Sequence, residues 1–183
     1  MIPKDPEHWI AGGGEWLPRT LTLEFVSDPA NHHRLFDYIC SIWIESGKPR
    51  LRDILSELPR GLRVVYNVNI IESEVENGGF GQFFYNSSGE LAQETRADLL
   101  LIGAHRHAAA LDEAMELYEP FGRAKDCTER WFGATPDETE IDRVTNKYYD
   151  ASSSESIGEL LSRYILENPK QVMHSVPPPR ARS

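Results

Sequence analysis

Apolar side chains recur every three to four residues through most of this chain, and that spacing constrains its fold more than any other feature. From Pro59 to about Glu76 the spacing places one apolar stripe on a helix with 3.6 residues per turn; the stripe consists of Val64, Val68, Ile71 and Val75. Similar stripes predict helices over 29–45, 51–58, 104–119, 137–150 and 154–167. The sequence therefore predicts an all-α fold, a single compact domain of about six to eight helices.

The two ends of the chain differ in composition from its middle. Residues 1–20 contain three prolines and the glycine triplet at 12–14, which predicts an irregular N-terminal arm. Residues 171–183 are rich in proline and basic, which predicts a mobile tail. The helical domain is expected between them, over 21–170. A chain of 183 residues is long enough for one well-formed core.

The stretch EVENGGFGQFFYNSSGE, residues 74–90, interrupts the helical pattern. Asn77, Gly78 and Gly79 follow the last apolar residue of a stripe, and glycine is the usual residue where a helix closes in a left-handed conformation. The stretch is therefore predicted to form a corner between two helices.

Aromatic and polar residues complete this corner. Phe80, Phe83 and Phe84 have the spacing of one face of a short helical turn, which would direct three rings inward. Ser87 and Glu90 have the spacing of a capping box for the next helix. Each residue type has a structural use, so the corner is interpreted as architecture.

An alternative gives the corner a function. The polar residues between Asn77 and Ser88, which include Gln82, Tyr85 and Asn86, could line a pocket of an enzyme or of a domain that binds a small molecule. The stretch nevertheless lacks histidine, cysteine, lysine and aspartate, the common nucleophiles and bases. No catalytic residue is predicted, and a non-enzymatic protein is favoured.

Histidines and cysteines give no metal or cofactor signal. Cys40 and Cys127 lie far apart without a CxxC pattern, and the histidine pairs 32–33 and 105–107 diverge on a helix. His107 lies on an apolar stripe and is predicted to be a hydrogen-bonded core residue. With no apolar run of signal-peptide or membrane-spanning length, we expect a cytoplasmic protein that does not enter a membrane.

Negative charge is concentrated in one window. The formal charge is −10, and residues 72–119 hold 10 acidic residues against only Arg96 and Arg106. Direct binding to nucleic acid needs lysine and arginine side chains to displace counterions from phosphates, so this balance argues against it. A basic protein is the natural electrostatic partner.

Helical spacing arranges these acids in rows, with residues i and i+4 separated by a rise of about 6 Å. Opposite charges at that spacing would be stabilising, and few lysines appear there, which favours a surface selected for negative potential. An acidic surface that serves only solubility stays an alternative. The predicted partner-binding rows comprise Glu72, Glu76, Glu90, Glu94, Asp98, Asp112, Glu113, Glu116 and Glu119.

The runs GLRVVYNVNIIESEVENGGFGQFFYNSSGELAQET (61–95) and LLLIGAHRHAAALDEAM (99–115) resemble the signature of a bacterial family of uncharacterised domains named for DNA mimicry. The resemblance covers about 57–119. Its motif, interpreted here as structural, consists of Asn77, Gly78, Gly79, Phe80, Gln82, Phe83, Phe84, Asn86 and Ser87.

This resemblance implies an all-helical fold. It also implies, for some members, homodimers that occupy the basic DNA-binding surface of a transcription regulator. Membership in a family constrains the fold more than the function. The expected function is therefore that of an acidic, non-enzymatic protein-binding domain that acts as a DNA mimic.

Overall fold

The computed structural model describes residues 8–12, 15–121 and 136–177. Eight α-helices lie in these residues: α1 (Leu23–Ser27), α2 (Arg34–Ser46), α3 (Leu51–Leu55), α4 (Arg60–Tyr85), α5 (Ala92–Ile102), α6 (His105–Tyr118), α7 (Glu138–Ser152) and α8 (Ile157–Glu167). Four short strands accompany them: β1 (Trp9–Gly12), β2 (Glu15–Pro18), β3 (Thr20–Leu21) and β4 (His174–Ser175). The predicted all-α fold is confirmed. Across the described ranges, no helix combines the length and the apolar character needed to cross a membrane.

The chain divides into two compact units, whose limits fall within α4 and α8. The terminal unit consists of Met1–Tyr66 and Ser162–Ser183, and the central unit is Asn67–Leu161. Each unit has its own buried apolar side chains, such as Leu35 and Ile39 in the terminal unit and Phe83 and Leu111 in the central unit. The domain limits expected at residues 20 and 170 stay predictions.

The N-terminal segment contains strands instead of an irregular arm. Antiparallel pairing of β1 with β2 places Ile10 opposite Leu17. Both side chains are buried, with 2% and 1% of their surface exposed. The prediction of irregular structure is wrong over these strands, because apolar residues in register across a hairpin bury together despite the glycines between the strands.

The C-terminal segment is also ordered beyond its predicted limit. β4 pairs antiparallel with β3, placing His174 opposite Leu21, and Val172 just before it is fully buried. The prediction of a mobile tail from residue 171 is therefore wrong as far as Pro177, because ladder hydrogen bonds and apolar burial hold this segment. Residues 178–183 of the predicted tail lie outside the described residues.

Helix α4 is broken at Gly78 and Gly79, as its sequence predicts. Gly78 has φ −157° and ψ 27°, and Gly79 has φ 67° and ψ −170°, so neither is helical. The second of these conformations is essentially restricted to glycine. A Cβ atom on Gly79 would also lie 3.0 Å from the hydroxyl oxygen of Thr145.

Side chains of α7 satisfy backbone groups at this break. In an unbroken helix the Val75 carbonyl would accept from the N–H four residues later. Here the Tyr149 hydroxyl donates to the Val75 carbonyl at 2.7 Å. The N–H of Phe80 donates to the Thr145 hydroxyl oxygen at 3.1 Å. Thr145 and Tyr149 lie four residues apart, so one face of α7 supplies both partners.

The aromatic rings that follow the break behave largely as predicted. Phe80 and Phe83 are buried, and Phe80 packs edge-on against Tyr148 with ring centroids 5.6 Å apart. Phe84 is only partly buried and stacks on Tyr118 at 4.3 Å. The inward-facing cluster is therefore confirmed for the first two rings.

The predicted capping box does not form. Ser87–Leu91 is a 3₁₀ helix, α5 begins at Ala92, and neither N-terminus has a side-chain capping hydrogen bond. Ser87 is exposed while Ser88 is buried. The prediction is wrong because the tight turn directs the second serine inward, where its hydroxyl donates to the Glu74 carboxylate.

We expect Gly79→Ala to lower the free energy of unfolding by about 1–3 kcal/mol, because alanine is strained at this φ and ψ and would press on Thr145. The matched control is Gly158→Ala in α8, where an added Cβ meets nothing within 4 Å. That change should be neutral or stabilising by up to about 1 kcal/mol. Urea denaturation measures the free energy of unfolding of both variants. Equal changes would contradict the requirement for glycine at the break.

Candidate functional site

A buried carboxylate organises the polar side chains of the corner. Glu74 is 9% exposed and lies on α4 before the break. Its Oε2 accepts hydrogen bonds from the side-chain amides of Gln82 and Asn86, both at 2.6 Å. Its Oε1 accepts from the Ser88 hydroxyl at 3.0 Å. We call these four residues the glutamate cluster.

The glutamate cluster joins the two sides of the break. Glu74 precedes Gly78 and Gly79, and its three donors follow them. The Asn77 amide donates to Oε1 of Gln82 at 2.7 Å, which fixes the orientation of the Gln82 amide. Hydrogen bonds to an ionised acceptor are among the stronger ones in proteins, so the cluster stabilises the corner.

Sequence reasoning missed the burial of Glu74. The signal was its position three residues after Ile71 and next to Val75, two residues that are fully buried. A carboxylate on an apolar stripe, followed by two amides and a hydroxyl, is the pattern of a buried acceptor with its donors. The polar residues of the corner therefore face an internal partner.

His107 has the hydrogen bonds predicted for a core histidine. It is fully buried; its Nδ1 lies 3.1 Å from Oε2 of Glu155, and its Nε2 lies 3.1 Å from Oγ of Ser152. Burial lowers the pKa of His107, and the hydrogen bond to Glu155 opposes that effect. The order serine, histidine, glutamate is superficially that of a hydrolytic triad.

Three features around this triad favour a structural role. Glu155 also accepts from the backbone N–H of Arg106 at 3.0 and 3.1 Å, so it caps the start of α6. The N–H groups of Ser153, Ser154 and Glu155 all donate to carbonyls of α7. These groups are therefore unavailable to stabilise an oxyanion. Ser152 also ends α7, where the helix dipole is negative.

No metal site accompanies these groups in the described part of the chain. There, no group of three or more histidine, cysteine, aspartate or glutamate side chains is arranged to hold a metal ion.

One member of the predicted acidic rows is not at the surface. Asp98 is fully buried, and its Oδ2 accepts from the Asn67 amide at 2.7 Å. Its inclusion in an exposed row is wrong, because Asp98 lies one residue before the buried Leu99 and faces the interior with it. Asp98 cannot contact a protein partner in this fold.

Two further members face cations of this chain. Asp112 is ion-paired with Arg96. Glu113 contacts Arg143 at 3.2 Å and Lys147 at 2.7 Å. The hydrogen bond from Lys147 is the largest cause that lowers the pKa of Glu113. These pairs partly neutralise the centre of α6, which weakens it as a surface of negative potential.

The other members keep different degrees of exposure. Glu76, Glu94, Glu116 and Glu119 are exposed, while Glu72 and Glu90 are partly buried. Burial raises the pKa of Glu72, and the negative charge of Glu76 raises it further. The contribution of all these residues to partner binding stays a prediction.

The structure adds acidic residues that the predicted rows omit. His107 contacts Ser152, and Glu113 contacts Lys147, so α6 and α7 run antiparallel. The end of α6 therefore lies beside the start of α7. Four exposed carboxylates lie on these two helix ends, and within the described residues none has a hydrogen bond or ion pair. This acidic end consists of Glu116, Glu119, Glu138 and Asp142.

Charge differs sharply between the two units. The central unit has 19 acidic and 7 basic residues, a formal charge of −12. The terminal unit has 10 acidic and 12 basic residues, a formal charge of +2. The negative charge of the protein therefore belongs to the unit that contains the glutamate cluster and the acidic end.

An all-helical fold with an acidic central unit and an internally bonded polar corner defines a class of acidic helical proteins. Comparison with family models matches residues 56–168 to the model described as DMP19-like protein. The chain belongs to this DMP19-like family, which confirms the resemblance and indicates a DNA-mimic protein. The comparisons with curated proteins and with solved structures found no match.

We expect Glu74→Ala to lower the free energy of unfolding by about 2–4 kcal/mol, because three donors lose their acceptor and the Ser88 hydroxyl is buried. Glu74→Gln should cost less than half as much. Its carbonyl can accept from both amides, and its own amide can donate to Ser88. Glu76→Ala, at an exposed position, should change stability by less than about 0.5 kcal/mol. Urea denaturation measures the free energy of unfolding of each variant. Similar decreases in all three variants would contradict the stabilising role of the glutamate cluster.

We expect His107 to make stability depend on pH. Because burial lowers its pKa, the unfolded chain binds a proton below about pH 6.5 more readily than the folded chain does. The free energy of unfolding should therefore fall as the pH decreases below that value. His107→Gln should reduce this slope, whereas His105→Gln at an exposed position should leave it unchanged. Unfolding curves recorded between pH 5 and 8 give the free energy of unfolding at each pH. The same dependence on pH in the wild type and in His107→Gln would contradict the contribution of His107.

Proposed function

We propose that this protein is a DNA mimic that occupies the basic DNA-binding surface of another protein, such as a transcription regulator. The observation that carries the proposal is the concentration of charge: −12 in the central unit, within the segment matched by the family. The partner would meet carboxylates where it ordinarily meets phosphates. A homodimer, which the family resemblance implies, is part of the same proposal.

The acidic end is the proposed centre of this surface. Glu116 and Glu119 belong to one helix terminus and Glu138 and Asp142 to the next, so two helices contribute charge side by side. Packed helices lie about 8–10 Å apart, and residues i and i+4 rise about 6 Å. Carboxylates at these separations form a two-dimensional array, which suits a partner that carries several lysines or arginines.

The exposure of these carboxylates also supports binding. A carboxylate with an internal cation has already lost part of its attraction for a partner, as at Glu113. The four members of the acidic end have no such partner among the described residues. Their mutual repulsion costs a few tenths of a kcal/mol per pair in the free protein, and a basic partner would relieve it.

The alternative function, a ligand pocket within Asn77 to Ser88, gains no support from the geometry. The amide of Gln82 bonds to Glu74 and Asn77, and Asn86 and Ser88 also donate to Glu74. A ligand there would have to displace these internal hydrogen bonds. Binding through the surface of the central unit is the function that the arrangement supports best.

The test is capture of proteins from a bacterial extract on the immobilised protein at low salt, followed by elution with duplex DNA. A DNA mimic should retain DNA-binding proteins that duplex DNA releases, and retention should fall steeply with ionic strength. The variant Glu116→Gln, Glu119→Gln, Asp142→Asn should bind a captured protein at least tenfold more weakly. Glu138 is left unchanged, so this variant and its control each replace three carboxylates.

The matched control removes three exposed carboxylates from the terminal unit: Glu24→Gln, Asp53→Asn and Glu167→Gln. Both variants change the net charge by +3, so a general electrostatic effect would weaken binding equally. Equal weakening, or captured proteins that duplex DNA does not release, would contradict the proposal.

A further inference from the structure

The terminal unit contains a cavity that the proposed function does not use. Its volume is about 380 Å³, and α2, α3 and the segment around β4 line it. This volume lies within the range of small-molecule sites, about 300–1,000 Å³. Ile42, Ile54 and Leu58 contribute apolar walls, and each is at least 94% buried. The cavity therefore favours a ligand that is mostly apolar.

The charged side chains at this cavity are paired with one another. Arg19 contacts both carboxylate oxygens of Glu45, at 2.6 and 2.7 Å. Lys48 contacts Glu57 at 2.5 Å. Because each carboxylate that lines the cavity already has a cation, an ionic ligand would have to break a pair. A neutral ligand is favoured.

His174 contributes a hydrogen-bonding group with a defined polarity. The Tyr38 hydroxyl donates its one hydrogen to the Arg19 carbonyl at 3.2 Å. With that hydrogen used, the contact of 3.0 Å between the Tyr38 oxygen and Nδ1 of His174 is a hydrogen bond only if Nδ1 carries the proton, and we assign this tautomer to His174. Burial raises the pKa of Tyr38 and lowers that of His174, so both side chains are neutral near pH 7.

The consequence is a lone pair on the other ring nitrogen. A neutral imidazole that carries its proton on Nδ1 has an acceptor at Nε2. Among the described residues, no hydrogen-bond donor contacts Nε2 of His174, and the half-buried ring borders the cavity. In partly apolar surroundings, a hydrogen bond from a donor on a ligand to this acceptor would be favourable.

We propose that this cavity binds a small, neutral, mainly aromatic or aliphatic molecule whose single N–H or O–H group donates a hydrogen bond to Nε2 of His174. The site belongs to the terminal unit, so it is independent of the acidic end and of DNA mimicry.

Indole and 1-methylindole are matched probes, because they share their apolar surface and only indole has an N–H donor. Calorimetric titration of the full chain should show saturable binding of indole and roughly tenfold weaker binding of 1-methylindole. His174→Phe should weaken indole binding to the level of 1-methylindole. Tyr38 keeps its bond to the Arg19 carbonyl in this variant, so the fold should persist. His33→Phe, at an exposed position, is the control and should bind indole like the wild type.

Nitrogen NMR of the imidazole gives a readout that does not depend on a variant. The free protein should show His174 with its proton on Nδ1, and indole should shift the Nε2 resonance while 1-methylindole should not. A proton on Nε2 in the free protein, equal affinity for both probes, or no saturable binding of indole up to its solubility would each overturn the proposal.

Discussion

The break in α4 is the constraint on which the central unit depends. A glycine-only conformation at Gly79 redirects the chain, and it removes helical partners from the Val75 carbonyl and the Phe80 N–H. Two hydroxyls on one face of α7 supply those partners. The Glu74 carboxylate adds hydrogen bonds across the same break. The local glycine conformation and the long-range hydrogen bonds to α7 are therefore parts of one arrangement.

The residues that stabilise the fold at the break are different from the residues proposed to bind a partner. The most distinctive stretch of the sequence is occupied with internal hydrogen bonds and buried rings, so it offers little to a partner. The excess of carboxylates lies instead on exposed positions of the central unit, where water reduces the cost of keeping like charges together. The family membership and this distribution of charge support the same proposal, a surface that takes the place of DNA.

Prediction from sequence succeeded where the signal was local. The helix expected over 104–119 is α6, His105–Tyr118, and the break at Gly78 and Gly79 is where glycine was expected to end a helix. Prediction failed where the residues that pair are far apart in the sequence. β3 and β4 join Thr20 to Ser175 across most of the chain, and neither strand is long enough to show alternation by itself. The burial of Asp98 likewise depends on Asn67, 31 residues away.

The sequence by itself determined the helical fold class, the position of the glycine break and the excess of negative charge, because periodicity, glycine conformation and composition are properties of neighbouring residues. Only the tertiary structure decided which acids are available. It buried Glu74 and Asp98, paired Glu113 with cations of α7, and placed the end of α6 beside the start of α7. The physical reason is that burial and ion pairing depend on which elements pack together, and no single segment contains that information.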